Sequence, residues 1–136
     1  FEIFGAIDDL WLGSDGDYIV VDYKATSKKG EVSLDADWQI SYKRQMEIYQ
    51  WLLRGNGLTV SNRGYFVYCN GQRDRSGFDS RLEFDIDVIR YDGDDGWVED
   101  CILDAHGFLM QDEIPSASAA CDYCTYYSDL RGVEGA

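Results

Sequence analysis

Hydrophobic and polar positions divide the chain into segments of two different periods. Residues 1–12 alternate imperfectly and concentrate Ile, Phe, Leu and Trp, which predicts a strand. Gly13-Ser14-Asp15-Gly16-Asp17 is a turn, with Gly and Asp supplying the unusual backbone angles. Tyr18 to Ala25 is dense in β-branched and aromatic residues and predicts a second strand, hairpin-paired with the first. Ser27 to Asp35 is polar and reads as a loop. From Asp37 to Arg54 the period becomes helical. Trp38, Tyr42, Met46, Tyr49 and Leu53 form one stripe, which Ile48, Trp51 and Leu52 widen, so a largely buried helix is predicted. Asp35 or Asp37 is placed to cap it, and Gly55-Asn56-Gly57 to end it.

Gly64 to Cys69 predicts a short strand, and Asn70 to Ser80 a polar turn. Arg81 to Arg90 alternates, with Leu82, Phe84, Ile86 and Val88 on one face and Glu83, Asp85 and Asp87 on the other, so a half-exposed strand is expected. Trp97 to Met110 predicts a second helix, with Val98, Cys101, Ile102, Ala105 and Leu109 along one side. After Pro115 the expectation is an irregular or short-helical tail. The order is strand, strand, helix, strand, strand, helix, which is an α/β domain.

The length of 136 residues fits a single domain over residues 1–136, with 112–136 as a Cys-containing tail. The start at Phe1, inside a strand-like run, reads as part of something longer. No apolar run approaches a membrane span and no signal peptide is evident, so the expected location is cytoplasmic. The net charge is −14, with 26 acidic and 12 basic residues. That weighs against tight nucleic-acid binding, because affinity for phosphate comes largely from Lys and Arg. Bound metal ions or a short basic stretch reverse the sign locally.

Asp22 and Lys24 lie two apart at the end of the apolar run Ile19-Val20-Val21, and so project from one face of a strand. Buried charges of this kind need partners or work. Hairpin pairing brings Asp8 or Asp9 close to Asp22. Two neighbouring carboxylates repel each other, and a hard cation such as Mg²⁺ relieves the repulsion. A lysine beside two carboxylates keeps its charge, which favours electrostatic stabilisation of a phosphate over a role as general base. The simpler alternative is an exposed Asp22–Lys24 ion pair beside two turn acids. On the predicted helix, Gln45 and Tyr49 are four apart on one otherwise apolar face. A Gln there needs hydrogen-bond partners, either in a site or on core backbone.

The ordered set Gly5-Ala6-Ile7-Asp8-Asp9, Ile19-Val20-Val21-Asp22-Tyr23-Lys24-Ala25-Thr26, Gln45-x-x-x-Tyr49 and Cys121-Asp122-Tyr123-Cys124 resembles the RecB-type branch of the PD-(D/E)XK nucleases, to which small CRISPR-associated nucleases belong. The resemblance covers most of the chain. It implies a restriction-endonuclease-like core, a central mixed sheet flanked by helices, and cleavage of DNA phosphodiesters with Mg²⁺ or Mn²⁺. By the match, Asp8 and Asp22 are metal ligands, with the Tyr23 carbonyl as a third. Lys24 is catalytic, and Gln45 and Tyr49 shape the site or touch the strand. Exonuclease action, DNA-end processing and a place in DNA repair follow as expectations, as does a larger parent protein or helicase-type partner. Family members usually carry a further acid or His on a helix before the first strand, and this chain starts after that point. Relatives with an iron–sulfur cluster use four Cys, and only Cys121 and Cys124 match here, so neither that cluster nor a zinc site is expected within the chain.

Cys69 and Cys101 read as small buried apolar residues. Tyr65, Phe66, Tyr68, Tyr126 and Tyr127 suit either base stacking or core packing. Lys28, Lys29, Lys43 and Arg44 are the expected phosphate contacts, with solvated faces as the alternative, and His106 is assigned a structural place. Three functions fit these residues: the deoxyribonuclease, a nuclease-fold module that binds DNA or protein without cutting, and a metal hydrolase of small phosphoesters.

Overall fold

The structure is a computed structural model, and it describes residues 2–77 and 80–134. They form two compact units, divided after Asp100.

The first unit is built on a four-stranded mixed sheet in the order β1-β2-β3-β4, where β1 is Asp9–Leu12, β2 Tyr18–Thr26, β3 Arg63–Gly71 and β4 Phe84–Asp92. The hairpin β1–β2 is antiparallel and pairs Asp9 with Val21 and Leu10 with Val20. The predicted first strand is therefore much shorter than expected, because residues 2–8 find no ladder partner. Strands β2 and β3 run parallel, pairing Asp22 with Phe66 and Lys24 with Tyr68. A parallel pair requires a crossover, and helix α1, Ile40–Gly55, lies within that connection. A short 3₁₀ turn, Asp37–Gln39, precedes it.

Neither Asp35 nor Asp37 caps α1. The chain is held by Gln39 instead, whose Oε1 accepts the Ala36 N–H at 2.9 Å. The predicted stop is realised. Gly57 takes φ +84°, and Leu58 N–H reaches back to the Leu53 carbonyl at 3.1 Å.

Alternation along β2 and β3 sends Val20, Asp22, Phe66 and Tyr68 to one face, where Val20, Phe66, Tyr68, Met46, Leu34 and Val60 form the core. Gly64 is required there, because a Cβ at that position would lie 2.5 Å from the Met46 sulfur. Phe66 and Tyr68 are thus core residues and not a stacking platform.

Helix α1 is less apolar inside than its stripe predicts. Its buried residues are Met46, Glu47 and Gln50, while Trp38 before it is exposed. Glu47 accepts hydrogen bonds from the Tyr91 hydroxyl (2.5 Å), Trp97 Nε1 (2.7 Å) and Asp94 N–H (3.2 Å). Gln50 Nε2 donates to the carbonyls of Ser61 (3.2 Å) and Asn62 (2.8 Å). Arg54 joins the Val60 carbonyl to Asp95. These polar groups tie the helix to the ends of β3 and β4, and without such partners their burial would destabilise the fold.

The apolar face predicted for β4 is not the core face. Phe84, Ile86 and Val88 are exposed, Ile86 by 60 %, and the strand packs on the core through Ile89 and Tyr91. Register decides this, since Val88 pairs with Val67 and Ile89 with Phe66.

Helix α2, Val98–Leu109, buries only Val98, while Cys101 and Leu109 of the predicted apolar side are exposed. The tail is more regular than expected. Asp122–Glu134 forms α3, a helix of 13 residues.

Candidate active site

The site grows from the hairpin and α1. Asp22 is 4 % exposed and lies on the sheet face that α1 covers. Lys24, two residues on, is turned to the same face, and its Nζ ion-pairs with Asp22 Oδ2. No hydrogen bond of good geometry satisfies that oxygen. A nearly buried carboxylate oxygen lacking an aligned donor is costly, and such a group accepts a cation readily.

The other side of Lys24 is fixed by α1. Its Nζ donates to Gln45 Oε1 at 3.4 Å, and Gln45 Nε2 donates to the Tyr49 hydroxyl at 2.8 Å. The i, i+4 spacing makes this second link a local helix contact. The ammonium also lies 4.5 Å from the centre of the Tyr42 ring, a cation–π distance, and Tyr42 is braced edge-on by Trp38. Tyr42 was legible in the sequence only as a stripe residue. Its place three positions before Gln45, on the same helical face, was the available signal.

Asp8 stands one step beyond the last pair of the hairpin register, opposite Asp22. Its Oδ2 accepts the Tyr23 N–H at 2.8 Å. Within a strand the N–H and C=O of one residue point to the same side, so the Tyr23 carbonyl faces the Asp8 side as well. Asp9 is occupied on the opposite face. It accepts from the Tyr23 hydroxyl (2.8 Å), from Leu10 N–H and from Trp11 Nε1. Those bonds, the Tyr23 one foremost, hold the Asp9 carboxyl below its ordinary pKa and push the Tyr23 phenol up. The approach of the N-terminal segment depends on Gly5, where a Cβ would come within 2.8 Å of the Tyr49 ring.

The structure thus brings together Asp8, Asp22, Tyr23, Lys24, Gln45 and Tyr49. Its donor set for a hard cation is two carboxylates and a backbone carbonyl, and no cluster of three Asp, Glu, His or Cys residues occurs among the described residues. The nearly buried Asp22 carboxylate, whose Oδ2 has the Lys24 ammonium beside it but no aligned hydrogen bond, is the feature that suits a metal ion.

Other predicted residues fall elsewhere. Lys28 and Lys29 lie past the end of β2. Lys43 sits 6.0 Å from the Tyr91 ring and Arg44 5.9 Å from the Trp97 ring, and Arg44 also borders the shallow cleft lined by Gln45 and Tyr49. Cys69 is half-buried and Cys101 exposed. In the second unit, Cys121 immediately precedes α3, and its carbonyl accepts the Thr125 N–H at 3.0 Å. Its thiol is pulled below its ordinary pKa by the Cys124 backbone amide and the Cys124 thiol, while the Cys124 thiol is pushed up.

A sequence model of the PD-(D/E)XK nuclease superfamily matches residues 1–128. The chain belongs to the PD-(D/E)XK nuclease superfamily. The mixed sheet with its crossover helix is the restriction-endonuclease-like α/β core of that superfamily. Membership brings with it nuclease chemistry, divalent metal and a DNA substrate in general terms. No curated protein and no solved structure matches the chain. No helix among the described residues is long and apolar enough to cross a membrane.

Proposed function

We propose that this PD-(D/E)XK domain is a Mg²⁺- or Mn²⁺-dependent deoxyribonuclease of the RecB type that works on DNA ends or single strands, as an exonuclease. The observation that carries the reading is the line Asp22–Lys24–Gln45–Tyr49, in which a buried carboxylate oxygen without an aligned donor faces an ammonium fixed on its far side. Asp8, Asp22 and the Tyr23 carbonyl would hold the ion. When bound, such an ion polarises the scissile phosphate and lowers the pKa of a coordinated water.

The chain's own groups do the rest. Lys24 presents positive charge where the phosphate gains negative charge, and Gln45 and Tyr42 keep it from swinging away. Gln45 is itself fixed by Tyr49, so the charge is in place before the substrate arrives and no reorganisation is needed. A DNA-repair setting, a cytoplasmic location and a helicase-type or larger parent partner complete the proposal.

A second reading is a nuclease fold that binds without cutting. The net charge of −14 and the lack of a three-ligand Asp, Glu, His or Cys cluster among the described residues favour it.

Cleavage of end-labelled single- and double-stranded DNA in Mg²⁺, Mn²⁺ and EDTA separates the two readings. The nuclease reading expects cleavage only with metal, a ladder from one end, and a loss of about 100-fold or more in Lys24→Ala. Metal-independent cutting, or a Lys24→Ala protein as fast as wild type, sinks it. Binding of Mn²⁺ and DNA with no product would establish the second reading.

A further inference from the structure

Two loops at the carboxyl ends of the parallel strands β2 and β3 enclose a cleft of about 560 Å³. In open α/β sheets this edge is where ligands bind. The loop after β2 supplies Lys28 and Lys29, and the turn after β3 supplies Arg73 and Arg75. Four of the chain's 12 basic residues therefore line one cleft. Glu31, Asp74, Asp85 and Asp87 line it too, so its formal charge is close to zero. In a chain of net charge −14, a neutral cleft is a place where a phosphate chain meets comparatively little repulsion.

The cleft is built rather than incidental. Asn70, buried at the end of β3, holds the neighbouring loop as a strand partner would. It accepts the Lys28 N–H at 3.0 Å and donates to the Lys28 carbonyl at 3.2 Å. Gly30, with φ +83°, turns that loop. Lys29 crosses to Asp74 of the second loop at 3.4 Å, and Arg75 is held by Gln72 and Glu83. The Lys29–Asp74 pair is exposed on both sides, so it contributes little to stability and exchanges easily for a phosphate oxygen. The Arg75 guanidinium offers the planar fork that suits phosphate. Lys28 is four residues beyond Lys24 along the chain, about 13 Å at most in extended backbone. A strand bound at Asp22 and Lys24 has its neighbouring phosphates within reach of the cleft.

We infer that the cleft between the 27–32 loop and the 72–75 turn is a phosphate-binding subsite, which takes the backbone of single-stranded DNA next to the scissile position. This rests on the nuclease reading of the Asp22–Lys24 site, which it extends to a second, non-catalytic contact.

The test is fluorescence anisotropy with a labelled 12-nucleotide thymidine strand, in EDTA and again with Ca²⁺, over a series of salt concentrations. Wild type is compared with Arg73→Ala/Arg75→Ala and with the charge-matched control Arg90→Ala/Arg131→Ala. Each phosphate contact contributes about −0.7 to the slope of log affinity against log salt for single strands, so losing two flattens the slope by about 1.4. Binding weakened at least tenfold, with that flattening, in the cleft variant alone supports the subsite. Equal weakening in both variants overturns it, because net charge then explains the effect. Binding unchanged in the cleft variant while wild type still binds overturns the subsite and leaves the nuclease reading standing. No saturable binding by wild type overturns it as well, and metal-dependent cleavage in the separate assay then decides whether the nuclease reading falls with it.

Discussion

Glu47→Gln is a stringent test of how this fold is held, because it changes one buried group by almost nothing in size. Glu47 is buried in α1 and accepts three hydrogen bonds, from the Tyr91 hydroxyl, Trp97 Nε1 and Asp94 N–H. Two of these donors, the indole N–H and the backbone N–H, cannot become acceptors. A Gln amide has one acceptor oxygen and one donor nitrogen. If its nitrogen faces Trp97, the indole N–H is stranded; if it is flipped, the Asp94 N–H is stranded. Either orientation leaves one fixed donor unsatisfied, at about 1–3 kcal/mol, and weakens bonds that the carboxylate charge had strengthened. Removing a buried charge gives some of this back. The expected net loss is about 2 kcal/mol. Urea unfolding followed by tryptophan fluorescence measures it, as a lower midpoint with an unchanged slope. Tyr91→Phe, which deletes one bond and strands no fixed donor, should lose about 1 kcal/mol. If Glu47→Gln proves as stable as wild type or more so, desolvation of the carboxylate outweighs its hydrogen bonds. The account of α1 as anchored by its polar side is then wrong.

Three further outcomes are expected. Tyr42→Leu should lower kcat by about tenfold with KM little changed, while Tyr42→Phe keeps the ring and most of the rate, since a cation–π contact contributes about 0.5–2 kcal/mol; equal rates in the Leu and Phe variants would refute the ring's part. Burial, and then the bond to Glu47, push the Tyr91 phenol above its ordinary value near 10, so the unfolded chain ionises first and this contribution to stability, complete below about pH 10, is lost as pH rises further. Wild type should therefore lose stability between pH 10 and 12 more steeply than Tyr91→Phe, and parallel curves would count against the shift. Iodoacetamide should alkylate Cys121 at lower pH than Cys124, as peptide mapping reads; the reverse order would show that the α3 amides do not stabilise the Cys121 thiolate.

The local sequence determined the elements whose periods were clean and whose ends carried strong signals. Tyr18–Thr26 formed as a strand because its β-branched and aromatic run could do little else, and α1 ended at Gly55-Asn56-Gly57 because Gly57 tolerates a positive φ. Asp22 and Lys24 shared a face by the two-residue period, and Gln45 and Tyr49 by the four-residue one, so both halves of the candidate site's line were visible in one dimension.

Joining the halves needed the third dimension. The parallel pairing of β2 with β3 brings α1 back over the sheet, and only then does Gln45 meet Lys24 across 21 positions of chain. The same holds for Tyr42 on Lys24, and for Glu47, whose three donors lie 44 to 50 residues away. Nothing near Glu47 in sequence announces a buried carboxylate, since burial of charge is licensed by partners and these partners are distant. The alternation of β4 marks a half-exposed strand, and the structure turns its apolar set, Phe84, Ile86 and Val88, away from the core. Alternation says which residues go together, and pairing register decides which set meets the core.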